Sequence, residues 1–147
     1  MNLDELYQTI ILDHYREKHH SGLREPYEVE VHHVNPSCGD ELTLRVHLEG
    51  DTIADMSYAG EGCSISQAST SVLGDLVIGR DSDHFSGLYD DFLEMMHSKG
   101  EITPDEDRFE DAIAFAGVSK FPARVKCALL AWSALRDAVN QASAKEN

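Results

Sequence analysis

Residues 27–48 read YEVEVHHVNPSCGDELTLRVHL, and the fold is decided by how their pattern changes along the way. Tyr27, Val29, Val31 and His33 alternate with Glu28, Glu30 and His32, the period-two signature of a half-buried strand. Leu42, Leu44, Val46 and Leu48 then alternate with Thr43, Arg45 and His47, which gives a second strand. Between them, Asn35-Pro36-Ser37-Cys38-Gly39-Asp40 is a turn shaped in advance. Pro36 fixes its own φ and drives Asn35 towards extended backbone, while Gly39 permits an angle that other residues resist. Glu49-Gly50-Asp51 turns the chain once more, into a third strand from Ile53 to Tyr58. The expectation is a three-stranded antiparallel meander with one polar face.

Helical periods flank the meander on both sides. Asn2 and Glu5 have capping-box spacing, and Leu3, Leu6, Tyr7, Ile10, Ile11, His14 and Tyr15 share one stripe. A helix is therefore expected from about Leu3 to His19, with Gly22 as its stop. His19 and His20, adjacent on such a helix, point apart and read poorly as a metal pair. After the third strand, Ala59-Gly60-Glu61-Gly62-Cys63 allows a sharp turn into a helix carrying Ile65, Ala68, Val72, Leu73, Leu76 and Val77. Ser64, Ser66, Ser69, Thr70 and Ser71 lack the Gly-x-x-x-x-Gly-Lys spacing of a phosphate cradle and read as small residues for close packing.

Ser82 caps a further helix with Phe85, Leu88, Phe92, Met95 and Met96 as core, although Gly87 weakens it by about 1 kcal/mol relative to Ala. Thr103-Pro104-Asp105-Glu106 starts another, with Pro104 at the first helical position. Phe109, Ala112, Ile113 and Ala116 form its apolar face and Gly117 its end. Asp105, Glu106, Asp107, Glu110 and Asp111 read as a solvated face. Phe121-Pro122 opens the last helix, which buries Val125, Ala128, Leu129, Trp132, Leu135 and Val139 and fades into a polar tail from about Gln141. The fold class expected is α+β, with helices packed on one face of the meander, in a single domain over residues 1–147.

With 147 residues the chain can bury a core without disulfide staples. Its formal net charge of −15, with 12 Lys and Arg, argues against nucleic acid and anionic membranes, which need a basic footprint. Such an acidic surface serves solubility or steers a basic protein partner. No apolar run approaches the roughly 20 residues that cross a bilayer. Three cysteines are odd in number and sparse, and Asp4, Glu5, Asp13 and Arg16 interrupt the first apolar stretch, so a reducing cytoplasm is expected.

Chemistry concentrates on those cysteines. Cys38 and Asp40 flank Gly39, so a bent loop can aim both side chains at one point. The hexapeptide alone equally describes an Asx-type turn beside an ordinary free thiol. Cys63 falls at a strand-to-helix junction, where the positive end of a helix dipole favours thiolate. Cys127 falls near the first turns of the last helix, with the cations Arg124 and Lys126 close by. A meander with helices on one face can bring these loop ends to one edge. Three thiolates and the Asp40 carboxylate would then supply four ligands, the tetrahedral number that zinc prefers. Three unrelated buried thiols are the alternative that the residues by themselves leave open.

Three motifs taken together are more specific: Asn35 to Asp40, Gly60-Glu61-Gly62-Cys63-Ser64-Ile65-Ser66-Gln67-Ala68-Ser69, and Phe121-Pro122-Ala123-Arg124-Val125-Lys126-Cys127-Ala128-Leu129-Leu130-Ala131-Trp132. With Leu6-Tyr7 through Asp13-His14-Tyr15, they resemble the IscU/NifU-like family that serves iron–sulfur cluster assembly, over nearly the whole chain. The resemblance implies an IscU/SufE-like fold, Cys38, Asp40, Cys63 and Cys127 as metal ligands, and zinc as the metal, or alternatively iron or a [2Fe-2S] cluster. Lys126 stands where scaffold members carry a histidine before the third cysteine. Phe121 to Lys126 replaces their Leu-Pro-Pro-Val-Lys chaperone motif, and residues 79–117 match the helical insertion of SufU-like members. Lys18-His19-His20 departs from their Asn-Pro-Arg-Asn and reads as loop variation.

The SufU-like branch implies a zinc-dependent sulfurtransferase that takes persulfide sulfur from a PLP-dependent, SufS-like cysteine desulfurase, with Suf scaffold proteins downstream. In that branch a desulfurase histidine can take a zinc position and release one cysteine. Cys38, on its Gly/Pro loop, is the expected acceptor. Arg124 is expected to dock the partner or stabilise the transferred sulfur, unless it is a plain surface cation near a helix start. The rivals are a scaffold on which a [2Fe-2S] cluster is built and passed on, and a purely structural zinc domain.

Overall fold

In the computed structural model, which describes residues 2–146, the three strands are Val29–Asn35 (β1), Asp40–Glu49 (β2) and Thr52–Glu61 (β3). They form an antiparallel sheet in the order β1-β2-β3. Its register aligns Val31, Leu44 and Tyr58 in one row and Val29, Val46 and Met56 in the next, and all six are buried. Because side chains alternate, Asp40 shares the parity of Leu42, Leu44 and Val46 and lies on the covered face. The opposite face is polar. There the Arg24 guanidinium donates to Asp55 at 2.9 and 2.7 Å, and Arg45 donates to Glu30 at 2.8 Å.

The helices are α1 (Leu3–Glu17), α2 (Ser64–Val77), α3 (Ser82–Met96), α4 (Glu106–Phe109), α5 (Phe115–Val118) and α6 (Pro122–Glu146), with a 3-10 turn over Glu110–Ala114. α6 lies across β1 and β2, α2 packs beside α6, and α1 packs on α2. Phe92 stacks on Trp132 at 3.9 Å between ring centroids and 4° between planes. The Trp132 Nε1–H donates to Ser69 Oγ at 3.1 Å, and the Ser69 hydroxyl donates to the Ala128 carbonyl at 2.7 Å. Ser66, Ser69, Thr70 and Ser71 are all buried, so the serine-rich stretch is the close-packing seam of α2. No helix among the described residues is long and apolar enough to cross a membrane.

Several boundaries depart from the sequence expectation. α1 stops at Glu17, not His19, because Lys18 takes the left-handed conformation (φ 48°) and its N–H bonds back to the His14 carbonyl. Its stripe is also less buried than its periodicity suggests: His14 alone is fully covered, while Leu3, Leu6 and Tyr15 are exposed. Asp81, not Ser82, caps α3, accepting from the His84 N–H at 2.7 Å. The helix expected from Pro104 to Gly117 begins at Glu106 under an Asp105 cap and breaks at Glu110, where φ is 48°. It resumes as the 3-10 turn and α5, which contains Gly117. α6 does not fade at Gln141; it runs to Glu146 with Ala142 buried, and Asn147 of the expected polar tail lies outside the described residues.

Candidate metal centre

The hexapeptide turn joins β1 to β2 at the point where Asn35 pairs with Asp40. Gly39 has φ +68°, the left-handed value for which its lack of a Cβ is suited. The Ser37 N–H bonds to Asn35 Oδ1 at 3.2 Å, an Asx turn, and the Asn35 amide donates to Cys38 Sγ at 3.4 Å. The Asx turn and the presented thiol are thus the same piece of chain.

β3 delivers the second cysteine. Cys63 is the N-cap of α2, and its backbone N–H donates to Asp40 Oδ1 at 2.9 Å, while its Sγ lies 3.9 Å from Asp40 Oδ2. Gly60 and Gly62 act here by close approach. A Cβ at Gly60 would collide with the Glu41 carbonyl, and one at Gly62 with the Asp40 carboxylate and the Ser66 hydroxyl. Asp40 therefore rests directly on the Gly62 backbone, a constraint the sequence reading missed; the paired glycines were its only visible signal.

α6, lying across β1 and β2, brings in the third cysteine. Cys127 is buried, whereas Cys38 and Cys63 are partly open, and all three are free thiols. One ligand atom each from Cys38, Asp40 and Cys127 lies within 4.8 Å of the others, a group that could hold a metal ion. Cys63 lies outside that mutual set and adjoins it through Asp40. Burial, and after it the neighbouring Cys38, Cys63 and Asp40, push the Cys127 thiol well above its ordinary value.

This donor set fits a divalent cation. Asp40 is 1% exposed, and no Lys, Arg or His among the described residues pairs with it. A buried carboxylate is ordinarily paired or metal-bound. Three adjoining thiols can ionise together only if positive charge is supplied among them. Lys126 is exposed and is not one of the group.

Arg124 precedes Cys127 by three residues on α6, so the two are neighbours along one face of the helix. It is exposed and makes no ion pair among the described residues. With Phe121, Ser64, Ile65, Leu12 and Tyr7 it lines a cavity of about 630 Å³ between α1 and the beginnings of α2 and α6. Phe121 is 60% exposed and Leu12 43%, so this side of the site carries an open apolar surface.

Comparison with known proteins agrees with this architecture. The NifU-like N terminal domain family matches residues 6–128. The "Zinc-dependent sulfurtransferase SufU" of Bacillus subtilis (strain 168) is 41% identical over 139 residues, 94% of this chain and 92% of that protein. The "Iron-sulfur cluster assembly scaffold protein IscU" of Streptococcus pyogenes serotype M1 is 40% identical over 141 residues, 96% of this chain and 87% of that protein. Among solved structures, FiSufU of the SUF system from Fervidobacterium islandicum AW-1 superposes with a TM-score of 0.82 at 35% identity, covering 94% of this chain and 99% of that one. The α+β architecture, the placement of Cys38, Asp40, Cys63 and Cys127 around one sheet edge, and these similarities agree: the chain belongs to the NifU-like N-terminal domain family.

Proposed function

We propose that the chain is a zinc-dependent sulfur acceptor that takes persulfide sulfur from a PLP-dependent, SufS-like cysteine desulfurase for iron–sulfur cluster assembly. The observation that carries this reading is Asp40, a fully buried carboxylate without a cationic partner among the described residues, set against Cys38, Cys63 and Cys127. Cys38, Asp40, Cys63 and Cys127 would hold the zinc. Bound there, zinc keeps the thiols deprotonated at neutral pH. The relative of similar length in B. subtilis bears the name of a zinc-dependent sulfurtransferase.

Cys38 is the acceptor in this reading. It is partly open, it sits on the only one of the three cysteine-bearing segments that is a turn, and Asn35 donates a hydrogen bond to its sulfur. Once a desulfurase histidine has taken its place on the metal, the released Cys38 thiolate would attack the terminal sulfur of the desulfurase persulfide. A sulfur–sulfur bond forms on Cys38, the bond to the donor cysteine breaks, and that cysteine leaves as thiolate. Charge and electron count are unchanged across the exchange. Arg124 lies one helical turn from Cys127 and is exposed, and in this reading the cation meets the anionic sulfur being handed over or an acidic residue of the desulfurase. The exposed apolar surface formed by Phe121 and Leu12 supplies contact area for that partner.

Metal analysis of the purified protein, combined with desulfurase turnover measured with and without it, tests the proposal. Stoichiometric zinc and a rise in turnover that disappears in Cys38→Ser are expected. Unchanged turnover in the presence of zinc-loaded protein would reduce it to a structural zinc domain. A second reading follows from the S. pyogenes relative, which is named as a scaffold. There the same residues carry a [2Fe-2S] cluster, and anaerobic reconstitution would yield a stable cluster that passes to apo-targets.

A further inference from the structure

A second group of metal-type side chains stands away from the cysteine turn, at the far end of α2. The sequence reading set His19 and His20 aside as neighbours that diverge on a helix. Both instead follow the end of α1, His20 takes φ 67°, and both converge on the Asp75 carboxylate. His19 Nδ1 lies 2.7 Å from Asp75 Oδ2, and His20 Nε2 lies 2.8 Å from Asp75 Oδ1. His14, 4% exposed on α1, closes the group, its ring centroid 4.8 Å from that of His19. One ligand atom each from His14, His19 and Asp75 lies within 4.8 Å of the others.

The outer contacts of these three residues are the more informative ones. His14 Nε2 is held by Asp111 Oδ2 at 2.7 Å, so Nδ1 is the nitrogen turned inward, beside Ser71 Oγ at 2.8 Å. His19 Nε2 is held by Glu17 Oε2 at 2.7 Å, so its Nδ1 also turns inward. Asp75 has His20 on its second oxygen. Each inward-facing group thus has its own polar partner on the distal atom, the arrangement that orients histidine and carboxylate ligands around a metal. Asp111, expected on a solvated face, is one of these partners.

A cavity of about 160 Å³ reaches Asp75 from outside, lined by Val72, Asp75, Leu76, Glu110 and Asp111; His14 and His19 do not line it. The Tyr58 hydroxyl is buried without a hydrogen-bond partner among the described residues, and burial followed by the Asp75 charge pushes its pKa up to about 12. The Ser71 hydroxyl, which accepts from the His19 backbone N–H at 2.9 Å, ties His14 and His19 to α2, so the candidate ligand atoms are held together by the packing of α1 on α2.

We propose that His14, His19 and Asp75 form a second site, for a divalent first-row cation, separate from the cysteine pocket. Two imidazole nitrogens and one carboxylate oxygen, with water completing the shell, suit Fe²⁺, Co²⁺ or Zn²⁺ better than Ca²⁺, which takes six to eight oxygens. Asp75 lies twelve residues along α2 from Cys63, about 18 Å at the helical rise, so the two sites share no ligand. The inference stands whether or not the chain transfers sulfur.

The test uses protein already carrying zinc on its cysteines, titrated with Co²⁺ by calorimetry and followed by paramagnetic shifts of the histidine ring signals in NMR. One further equivalent is expected, moving the His14 and His19 signals first. His19→Asn, at a partly exposed position, should weaken that binding at least ten-fold and so should Asp75→Asn, whereas His47→Asn, which lies on β2, should leave it unchanged. Absence of a further equivalent would overturn the proposal. Equal affinity in His19→Asn would do the same, even if Asp75→Asn failed to fold.

Discussion

The backbone N–H of Cys63 donates to Asp40 Oδ1 at 2.9 Å, joining the first residue of β2 to the N-cap of α2. That one bond makes the position of the second cysteine depend on the carboxylate beside the first. Asp40→Ala is expected to leave the Cys63 N–H without an acceptor, costing about 1–3 kcal/mol, and to weaken zinc binding at least ten-fold. Asp40→Asn keeps an acceptor and should recover much of the stability but not the affinity. Urea unfolding and competition with a chromophoric chelator separate the two quantities.

Gly62→Ala probes the same contact from the other side. Its methyl group would occupy space now taken by the Asp40 carboxylate and the Ser66 hydroxyl. Forcing them apart should destabilise the fold by about 1–3 kcal/mol and reduce zinc content, although no ligand has been removed. Retention of both would show that the carboxylate moves freely.

Cys38→Ser and Arg124→Ala should fail differently. The first removes the acceptor sulfur, so alkylation followed by mass spectrometry should find no persulfide on the protein. The second leaves Cys38, Asp40, Cys63 and Cys127 in place, so zinc content should stay at one equivalent while the concentration needed for half-maximal desulfurase stimulation rises several-fold. Normal sulfur acceptance by Cys38→Ser would assign the acceptor to another residue.

Ser69 sits between Trp132 and the Ala128 carbonyl, taking one hydrogen bond and giving one. Ser69→Ala strands the buried indole N–H, which should cost about 1–3 kcal/mol. A denaturation midpoint equal to that of the unaltered protein would show that the hydroxyl is dispensable there.

On the polar face of the sheet, hydrogen bonding from Arg24 holds the Asp55 carboxyl below its ordinary 3.8. A depressed folded-state value contributes stability that is complete above the unfolded pKa and is lost as pH falls through the folded one. The stability difference between the unaltered protein and Asp55→Asn should therefore be constant near neutral pH and shrink below about pH 4. Thermal unfolding of both across that range gives the measurement.

What the sequence determined by itself was local. Period-two alternation gave the first two strands, because each must turn one face to the core, and the Glu49-Gly50-Asp51 turn gave the third; Tyr27, expected inward, lies before β1 and is exposed. Asn2 and Gly39 were also legible, since a cap and a left-handed turn are set by the few residues around them. The family was legible through three motifs that together span most of the chain. Tertiary structure decided which side chains meet. Cys127 lies 89 positions from Cys38, and only the seating of α6 across β1 and β2 brings it beside Asp40. Likewise, Lys18 ending α1 two residues earlier than expected turned His19 and His20 from diverging helical neighbours into a pair facing one carboxylate. Backbone periodicity is fixed over a few residues by sterics and hydrogen bonding, whereas convergence of distant side chains is fixed only when packed elements set their separation and rotation.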